Sequence, residues 1–426
     1  MRTKEIYYHN FIEILKEELI PAMGCTEPIA VAYCAALAKD LLGSIPEKVS
    51  IWVSGNIVKN VKSVVVPNTG GMKGIEAAAS AGIIAGDAKR KLEVISEVTT
   101  EQKKEIESFM KSVPIEVKAL VGDEKFDIIV CVFNTEGYAK ARILHDHTNV
   151  VLLEKNGDIL FEKSHTGEAD CNEEKDYSWM TVEKIFDFAC EVNIEDVEPL
   201  LAKQIAYNTA ISEEGLKGDW GASIGKILLH TDENSVRQRA KAAAAAGSDA
   251  RMSGCELPVV INSGSGNQGI TVSLPVITYA KELGCSKEKL YRALVISNLI
   301  AVHQKKGIGC LSAYCGAVSA GAAAGCGIAY LHSESLDVIV HTLVNALAIA
   351  SGIVCDGAKP SCAAKVAVGV DAGLLGYEMY VQGQQFIGGD GIVSKGVENT
   401  IRNISRLGAE GMKETDKTII QMMTGE

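Results

Sequence analysis

The sequence predicts an α+β fold, in which a mainly helical domain rich in Gly and Ala is joined to a smaller α+β domain. From Lys48 to about Asp170 the apolar residues alternate or are β-branched, which is typical of strands. From residue 181 onward nearly every segment has helical spacing, and its repeated small residues allow helices to pack closely. A chain of 426 residues is long enough for two or three domains.

Three segments are predicted along the chain. Residues 1–46 would form N-terminal helices that carry the motif GCTEP (24–28) and pack on the helical domain, and Pro21 would end the first of them. Residues 47–175 would form the α+β domain. Residues 176–426 would form the helical domain, which would contain the catalytic residues.

Residue preferences predict individual elements within the α+β domain. The β-branched stretch IVKNVKSVVV (57–66) is predicted as strand, and a helix is predicted over 72–86. Asn156-Gly157 indicates a tight hairpin, because both residues tolerate the positive φ that such turns require.

Composition excludes several classes of partner. The chain has 54 acidic and 42 basic residues and a formal charge of −12, which argues against nucleic acid and anionic membrane. Gly307 to Leu331 is 25 residues without a charged side chain, but its Gly, Ala, Ser and Cys indicate a buried helix and not a membrane span. The amphipathic N-terminus does not resemble a secretory signal, so we expect a cytoplasmic protein with reduced thiols.

Twelve cysteines are candidates for metal binding or catalysis. Cys355 and Cys362 flank a loop in which Gly357 and Pro360 prevent continuous helix, so both sulfurs could turn toward one point. Cys315 precedes a Gly/Ala helix. Because the spacing is not that of a ferredoxin or a zinc ribbon, buried unligated thiols remain the alternative.

Cys25 has a different predicted environment. It lies one residue before Thr26, a good helix N-cap, with Glu27 and Pro28 in the first turn. The helix dipole and free N–H groups favour a thiolate there, which could act as a base, a nucleophile or a temporary iron ligand. A buried turn cysteine is the alternative. Apolar surroundings instead predict core positions for Cys34, Cys131, Cys190 and Cys326.

The segment SGSGNQG (263–269) is the strongest anion-binding candidate. Its glycines permit close backbone approach, its serine and asparagine side chains can donate, and a helix begins directly behind it. It matches neither common nucleotide-binding loop, so a carboxylate or phosphate is favoured over a nucleotide. A plain Gly-rich turn is the alternative.

Two further motifs are weaker signals. PNTGGMKG (67–74) joins a strand to a helix in a similar way, with Lys73 as a charge partner for a ligand. His145 and His147 in HDHT would share a strand face and could bind a metal, although a pair without a third ligand is also typical of polar surface.

Six motifs, taken in order, resemble the L-cysteine desulfidases and their uncharacterised relatives in the serine dehydratase alpha-chain superfamily. The resemblance spans essentially the whole chain. It implies a 4Fe-4S cluster, no pyridoxal phosphate, and α,β-elimination of L-cysteine to pyruvate, ammonia and hydrogen sulfide. The motifs are GCTEPIA (24–30), NTGGMKG (68–74), RMSG (251–254), NSGSGNQG (262–269), LSAYCG (311–316) and CDGAKPSC (355–362).

The resemblance also implies roles for single residues. Cys315, Cys355 and Cys362 would hold three irons, and the LSAYCG context favours Cys315 over its neighbour Cys310. Cys25 would be the catalytic thiol, either as the base or as a cap on the open iron. Lys359 is the alternative base. The predicted substrate-binding residues are Glu27, Asn68, Lys73, Ser263, Gly264, Ser265, Gly266 and Asn267.

Alternative functions follow from the same residues. L-serine dehydration would use the same cluster, with the iron binding a leaving hydroxyl. A non-catalytic iron-sulfur redox sensor would hold a cluster without turnover, and a helical scaffold would hold no iron. The predicted partner is a small amino-acid substrate, and the chain size with its Gly/Ala-rich faces makes a homodimer plausible.

Overall fold

The computed structural model has the predicted α+β fold, and helices predominate in its second half. The described residues are 3–120, 122, 124–163, 177–309 and 311–424. The helices are α1 (Thr3–Glu18), α2 (Thr26–Leu42), α3 (Gly55–Val61), α4 (Gly74–Ala85), α5 (Thr100–Ser112), α6 (Val182–Glu191), α7 (Ile194–Lys217), α8 (Ile224–Thr231), α9 (Val236–Met252), α10 (Gly266–Glu282), α11 (Lys287–Ile308), α12 (Gly316–His332), α13 (Leu336–Ala350), α14 (Cys362–Val381), α15 (Val397–Arg406) and α16 (Lys413–Thr424), with a 3₁₀ helix at Ala88–Glu93 and a π-helical turn at Leu407–Gly411.

The smaller part of the molecule is built on a six-stranded sheet in the order β3-β2-β4-β5-β6-β7. Strands β2 and β3 are parallel, and the other neighbours are antiparallel. Asn156 and Gly157 both have positive φ between β6 and β7, which confirms the predicted hairpin. The strands are β1 (Pro21–Met23), β2 (Lys48–Val53), β3 (Ile115–Ala119), β4 (Asp127–Asn134), β5 (Gly137–Leu144), β6 (Val150–Lys155), β7 (Asp158–Glu162) and β8 (Pro258–Val260).

The N-terminal segment contacts both parts of the molecule. Helix α1 lies against α7 and α11. Helix α2 instead packs across β4 and β5, beside α4. Both helices were expected to cover the helical domain, and α2 differs from that expectation. Strand β1 pairs with β8, so that Pro21 stands opposite Val260. This pairing brings the GCTEP motif next to the 262–269 loop. The domain boundaries at 47 and 176 stay predictions.

The strand predicted at the start of 57–66 is wrong, because Gly55–Val61 forms helix α3. Ile57 and Val61 are both fully buried and stand four residues apart, which places them on one helix face. Burial of that apolar face outweighs the strand preference of the β-branched residues, since such preferences depend on packing.

Small residues allow the central helices to pack closely. Where α12 crosses α14, a Cβ added to Gly321 would lie 2.1 Å from the carbonyl carbon of Gly369. A Cβ on Gly373 would lie 2.2 Å from the carbonyl oxygen of Gly321, so only glycine fits at this crossing. In the part of the chain that the structure describes, no helix has the length and apolar character needed to cross a membrane.

Candidate active site

Helices α2, α10, α12 and α14 begin close to one another. The Thr26 hydroxyl at the start of α2 donates to the Gly264 carbonyl at 3.0 Å, just before α10. The Gln268 side chain, in the first turn of α10, packs against the backbone at the start of α12. Cys25 and Cys362 belong to one small apolar cluster that joins α2 to α14. Helix N-termini carry positive partial charge, so their convergence favours bound anions.

The three thiols predicted to bind iron are neighbours. The backbone N–H of Cys315 donates to Ile353 at 3.0 Å, and that of Cys355 donates to Ala313 at 2.6 Å. Burial, together with the nearby thiols of Cys355 and Cys362, raises the pKa of Cys315 to about 12. All three are free cysteines.

The three thiols have the donor chemistry of iron-sulfur clusters, which are held by cysteine thiolates. Among the described residues, no three His, Cys, Asp or Glu side chains form a group able to hold one ion. In a 4Fe-4S cluster each thiolate binds a different iron, so the sulfurs do not need to meet at one point. The donor set is therefore consistent with the cluster.

Two lysines lie beside the thiols. Lys359 and Lys365 both pair with the Asp356 carboxylate, and Lys365 also donates to the Val354 carbonyl at 2.7 Å. Burial raises the pKa of Cys362, and the two lysine charges oppose that effect. Lys359, predicted as an alternative base, is thus part of an ion pair. Lys365 was missed, although its position three residues after Cys362 placed it one helical turn away.

The Cys25 thiol is buried and donates to Glu27 Oε2 at 3.1 Å. Burial and the Glu27 charge raise its pKa well above the usual value, although the Arg251 charge opposes them. The expected thiolate is therefore not favoured in this structure, because burial and a neighbouring carboxylate outweigh the helix N-terminus. The thiol has a proton acceptor already in contact with it.

Glu27 lies beside Cys25, and both oxygens of its carboxylate accept hydrogen bonds from protein side chains. Oε1 accepts from the Asn60 amide at 3.0 Å, and Oε2 accepts from the Cys25 thiol. Burial by itself would raise the pKa of Glu27, but His147, the Cys25 thiol and Arg251 together hold it below the usual value. Asn60 was missed, because it lies in the segment predicted as strand.

The 262–269 loop has the geometry of an anion-binding turn. Ser263 and Gly264 have positive φ, and the Ser265 hydroxyl caps α10. Asn267 Oδ1 accepts a hydrogen bond from Arg251 Nη1 at 3.1 Å. The loop residues predicted to bind substrate, including buried Gly266, therefore lie together at one helix start. Arg251 belongs to the RMSG motif but was not assigned a role from the sequence.

The two residues predicted in the 67–74 motif are separated. Asn68 lines a cleft of about 520 Å³ together with Trp220 and Gly254, but its amide donates to the Ile95 carbonyl at 2.8 Å. Lys73 is exposed at the start of α4. The structure therefore does not bring Lys73 together with the other predicted site residues.

The two histidines of HDHT do not share a strand face, because β5 ends before them at Leu144. His145 contacts Glu124 at 2.9 Å. His147 turns inward, edge-on to Phe126, and a Cβ on Gly264 would lie 3.3 Å from its ring. It therefore borders the anion-binding loop.

The remaining cysteines mostly follow the prediction. Cys34, Cys131 and Cys326 are buried, whereas Cys190 is exposed. Cys310, the neighbour of Cys315, lies outside the described residues.

The fold and the site define a class of protein in which helix N-termini surround a group of thiols beside an anion-binding loop. Residues 89–421 match the serine dehydratase alpha chain family. A UPF0597 protein of Desulfitobacterium hafniense (strain Y51) is 59% identical over 100% of this chain and 99% of its own length. UPF0597 proteins of Lachnoclostridium phytofermentans and Finegoldia magna are 50% and 49% identical, over 98% and 97% of this chain and 99% of each relative. The chain belongs to the serine dehydratase alpha-chain family, which is a family of lyases.

Proposed function

We propose that the protein is an L-cysteine desulfidase, an iron-sulfur lyase that converts L-cysteine to pyruvate, ammonia and hydrogen sulfide without pyridoxal phosphate. One observation carries the proposal. The Cys25 thiol lies in one cluster with Cys362, whose own neighbours are the thiols of Cys315 and Cys355. Family membership supports the lyase class.

Three residues would hold a 4Fe-4S cluster, namely Cys315, Cys355 and Cys362. When bound, the cluster supplies a Lewis-acidic iron that stabilises the departing sulfide. Lys359 and Lys365 lie beside these thiols, so their charges offset part of the negative charge that the thiolates carry.

The 262–269 loop would orient the substrate. The Gln268 N–H donates to the Ser265 hydroxyl, but the other N–H groups in the first turn of α10 point toward a carboxylate bound there, and the helix dipole favours its negative charge. Holding the carboxylate there stabilises charge that develops at the α-carbon when its proton is removed. The loop is linked to the start of α2 by the hydrogen bond between Thr26 and Gly264.

Cys25 is the residue best suited to remove the α-proton. Its thiol donates to Glu27 Oε2, and because burial and the Glu27 charge raise its pKa, it must lose its proton to solvent before the thiolate can act as the base. Lys359 is less suited, because its ammonium group is paired with Asp356. The substrate loses a proton from Cα and sulfide from Cβ. The resulting 2-aminoacrylate takes up water to give pyruvate and ammonia.

Anaerobic purification followed by iron and product analysis tests the proposal. We expect about four irons per chain, a brown colour, and equal amounts of sulfide and pyruvate released from L-cysteine. A colourless, iron-free protein from a strictly anaerobic preparation would exclude this function. A protein that holds iron but turns over neither L-cysteine nor L-serine would instead be an iron-sulfur sensor.

L-serine dehydration is the second candidate, and the name of the matching family favours it. Both reactions need the same cluster and the same α-proton removal, and they differ only in the leaving group. The ratio of kcat/KM for L-cysteine to that for L-serine separates them. A higher value for L-serine would make the protein an L-serine dehydratase.

A further inference from the structure

Arg251 is a buried cation without an ion-pair partner among the described residues. Only 2% of its surface is exposed, and it lies at the end of α9. Nη1 donates to Asn267 Oδ1, but Nε is buried and has no hydrogen-bond partner in the described part of the chain. An uncompensated buried charge is costly. We therefore expect a bound anion to stabilise this side chain.

The position of Arg251 indicates where such a ligand would bind. A Cβ added to Gly266, the first residue of α10, would lie 2.2 Å from Arg251 Nε. The guanidinium therefore covers the start of that helix, where backbone N–H groups also favour an anion. The Arg251 charge helps to hold the pKa of Glu27 below its usual value, so this carboxylate offsets part of the Arg251 charge, but its oxygens already accept from Cys25 and Asn60.

A second unpaired polar group lies on the same helical turn. Gln268 is 4% exposed, and its Oε1 is buried with no hydrogen-bond partner from any residue that the structure describes. A side-chain carbonyl in that state is an acceptor for an ammonium group. The first turn of α10 therefore offers an unpaired cationic donor and an unpaired neutral acceptor.

We propose that Arg251 and Gln268 bind the headgroup of an α-amino acid, with the carboxylate on Arg251 and the ammonium group on Gln268. The proposal rests on the proposed function, because it places the amino-acid substrate at the same loop. Arg251 and Gln268 would be the two residues that select a ligand carrying both a carboxylate and an ammonium group. A planar guanidinium binds a carboxylate through two parallel hydrogen bonds, which a lysine cannot reproduce.

Binding of L-2-aminobutyrate to the anaerobically purified full chain tests this inference. This compound has the size of L-cysteine but no leaving group, so calorimetry measures binding without turnover. We expect Arg251→Lys to weaken its binding by about 10- to 100-fold and to leave binding of its methyl ester unchanged. We expect Gln268→Leu to weaken it by about 10-fold and to leave butyrate unaffected.

Arg237→Lys is the matched control, because Arg237 lies at the other end of α9 and is already paired with Asp371 and Glu378. It should bind all three compounds as the wild type does. If Arg251→Lys does not fold, the two affinities of the wild-type protein still test the inference. Equal affinity for L-2-aminobutyrate and for its methyl ester would overturn it. Full-strength binding by a folded Arg251→Lys variant would do the same. Because binding is measured without turnover, a failure of the proposed function would be seen separately, as absent sulfide and pyruvate.

Discussion

The cysteines of the site divide into two groups by what they contact. Cys315, Cys355 and Cys362 neighbour one another and the Lys365 charge. Cys25 contacts Glu27, a proton acceptor and not a cation. The first group contains the metal ligands proposed above, whereas burial and a carboxylate raise the pKa of the proposed base in the second.

Substitution should separate these two roles. We expect Cys355→Ser or Cys362→Ser to abolish iron retention, because each removes a thiolate ligand. Cys25→Ala should keep the iron and lose turnover. Cys285→Ser, at a partly buried thiol between α10 and α11, is the control and should keep both. Iron analysis and sulfide release measure these outcomes, and iron loss in Cys25→Ala would identify Cys25 as a ligand.

Asp249 makes stability depend on pH. It is fully buried, its Oδ2 accepts from the Gly225 N–H at 3.0 Å, and its Oδ1 has no partner. Burial raises its pKa to about 6. Between the unfolded pKa and about 6, the unfolded state loses the proton first, so this residue makes the folded state less stable as pH rises.

Asp249→Asn should remove that dependence, because the amide stays neutral and its oxygen can still accept from Gly225. Relative to wild type, we expect the variant to gain roughly 2 kcal/mol in unfolding free energy between pH 4 and pH 7. Urea unfolding of both proteins at a series of pH values measures the difference. A constant difference across that range would contradict a raised pKa.

At the scale of secondary-structure elements, the crossing of α12 and α14 depends on glycine. Gly321→Ala would place a methyl group against the backbone of Gly369. We expect a loss of about 1–3 kcal/mol or more in unfolding free energy, because neither helix can move without disturbing its other neighbours. Ala320→Gly, on the same helix, should cost only about 0.5–1 kcal/mol. Equal stability of Gly321→Ala and wild type in urea would show that the helices can separate.

Most elements could be predicted because their signals are local. The helical spacing of 286–301 and 362–375 appears in α11 and α14, and Asn156-Gly157 forms its hairpin. Helix α3 could not be predicted, because its β-branched residues favour a strand until Ile57 and Val61 are buried together. Helix α8 was also not predicted, because Asp249, 24 residues further along the chain, accepts a hydrogen bond from the N–H of Gly225, the second residue of this helix.

At the level of the whole molecule, the C-terminal helix is attached beside the loop between Cys355 and Cys362. Lys59 of α3 pairs with Asp416 of α16 at 2.5 Å, and both residues are buried. Gly357 packs against the Lys59 backbone. Helix α3 therefore links the C-terminus to the loop between Cys355 and Cys362.

Asp416→Asn should destabilise the protein by about 3–5 kcal/mol, because it leaves the Lys59 charge buried without its partner. Glu414→Gln removes an exposed pair with Lys417 and should cost at most about 1 kcal/mol. Urea unfolding compares the two variants. A similarly small loss of unfolding free energy in both variants would mean that water reaches Lys59.

The homodimer stays a prediction, which light scattering of the purified protein can test.

The fold class, most of the elements and the motifs can be predicted from the amino-acid sequence, because periodicity, caps and turn residues act over a few positions. The way in which the motifs meet depends on the folded chain, since Cys25, Arg251 and Cys362 are more than a hundred residues apart in sequence. Proximity also changed the chemistry. Burial and the Glu27 charge raise the pKa of the thiol that a helix start would lower, and among the described residues the buried Nε of Arg251 has no hydrogen-bond partner, which is the basis of its proposed role in binding.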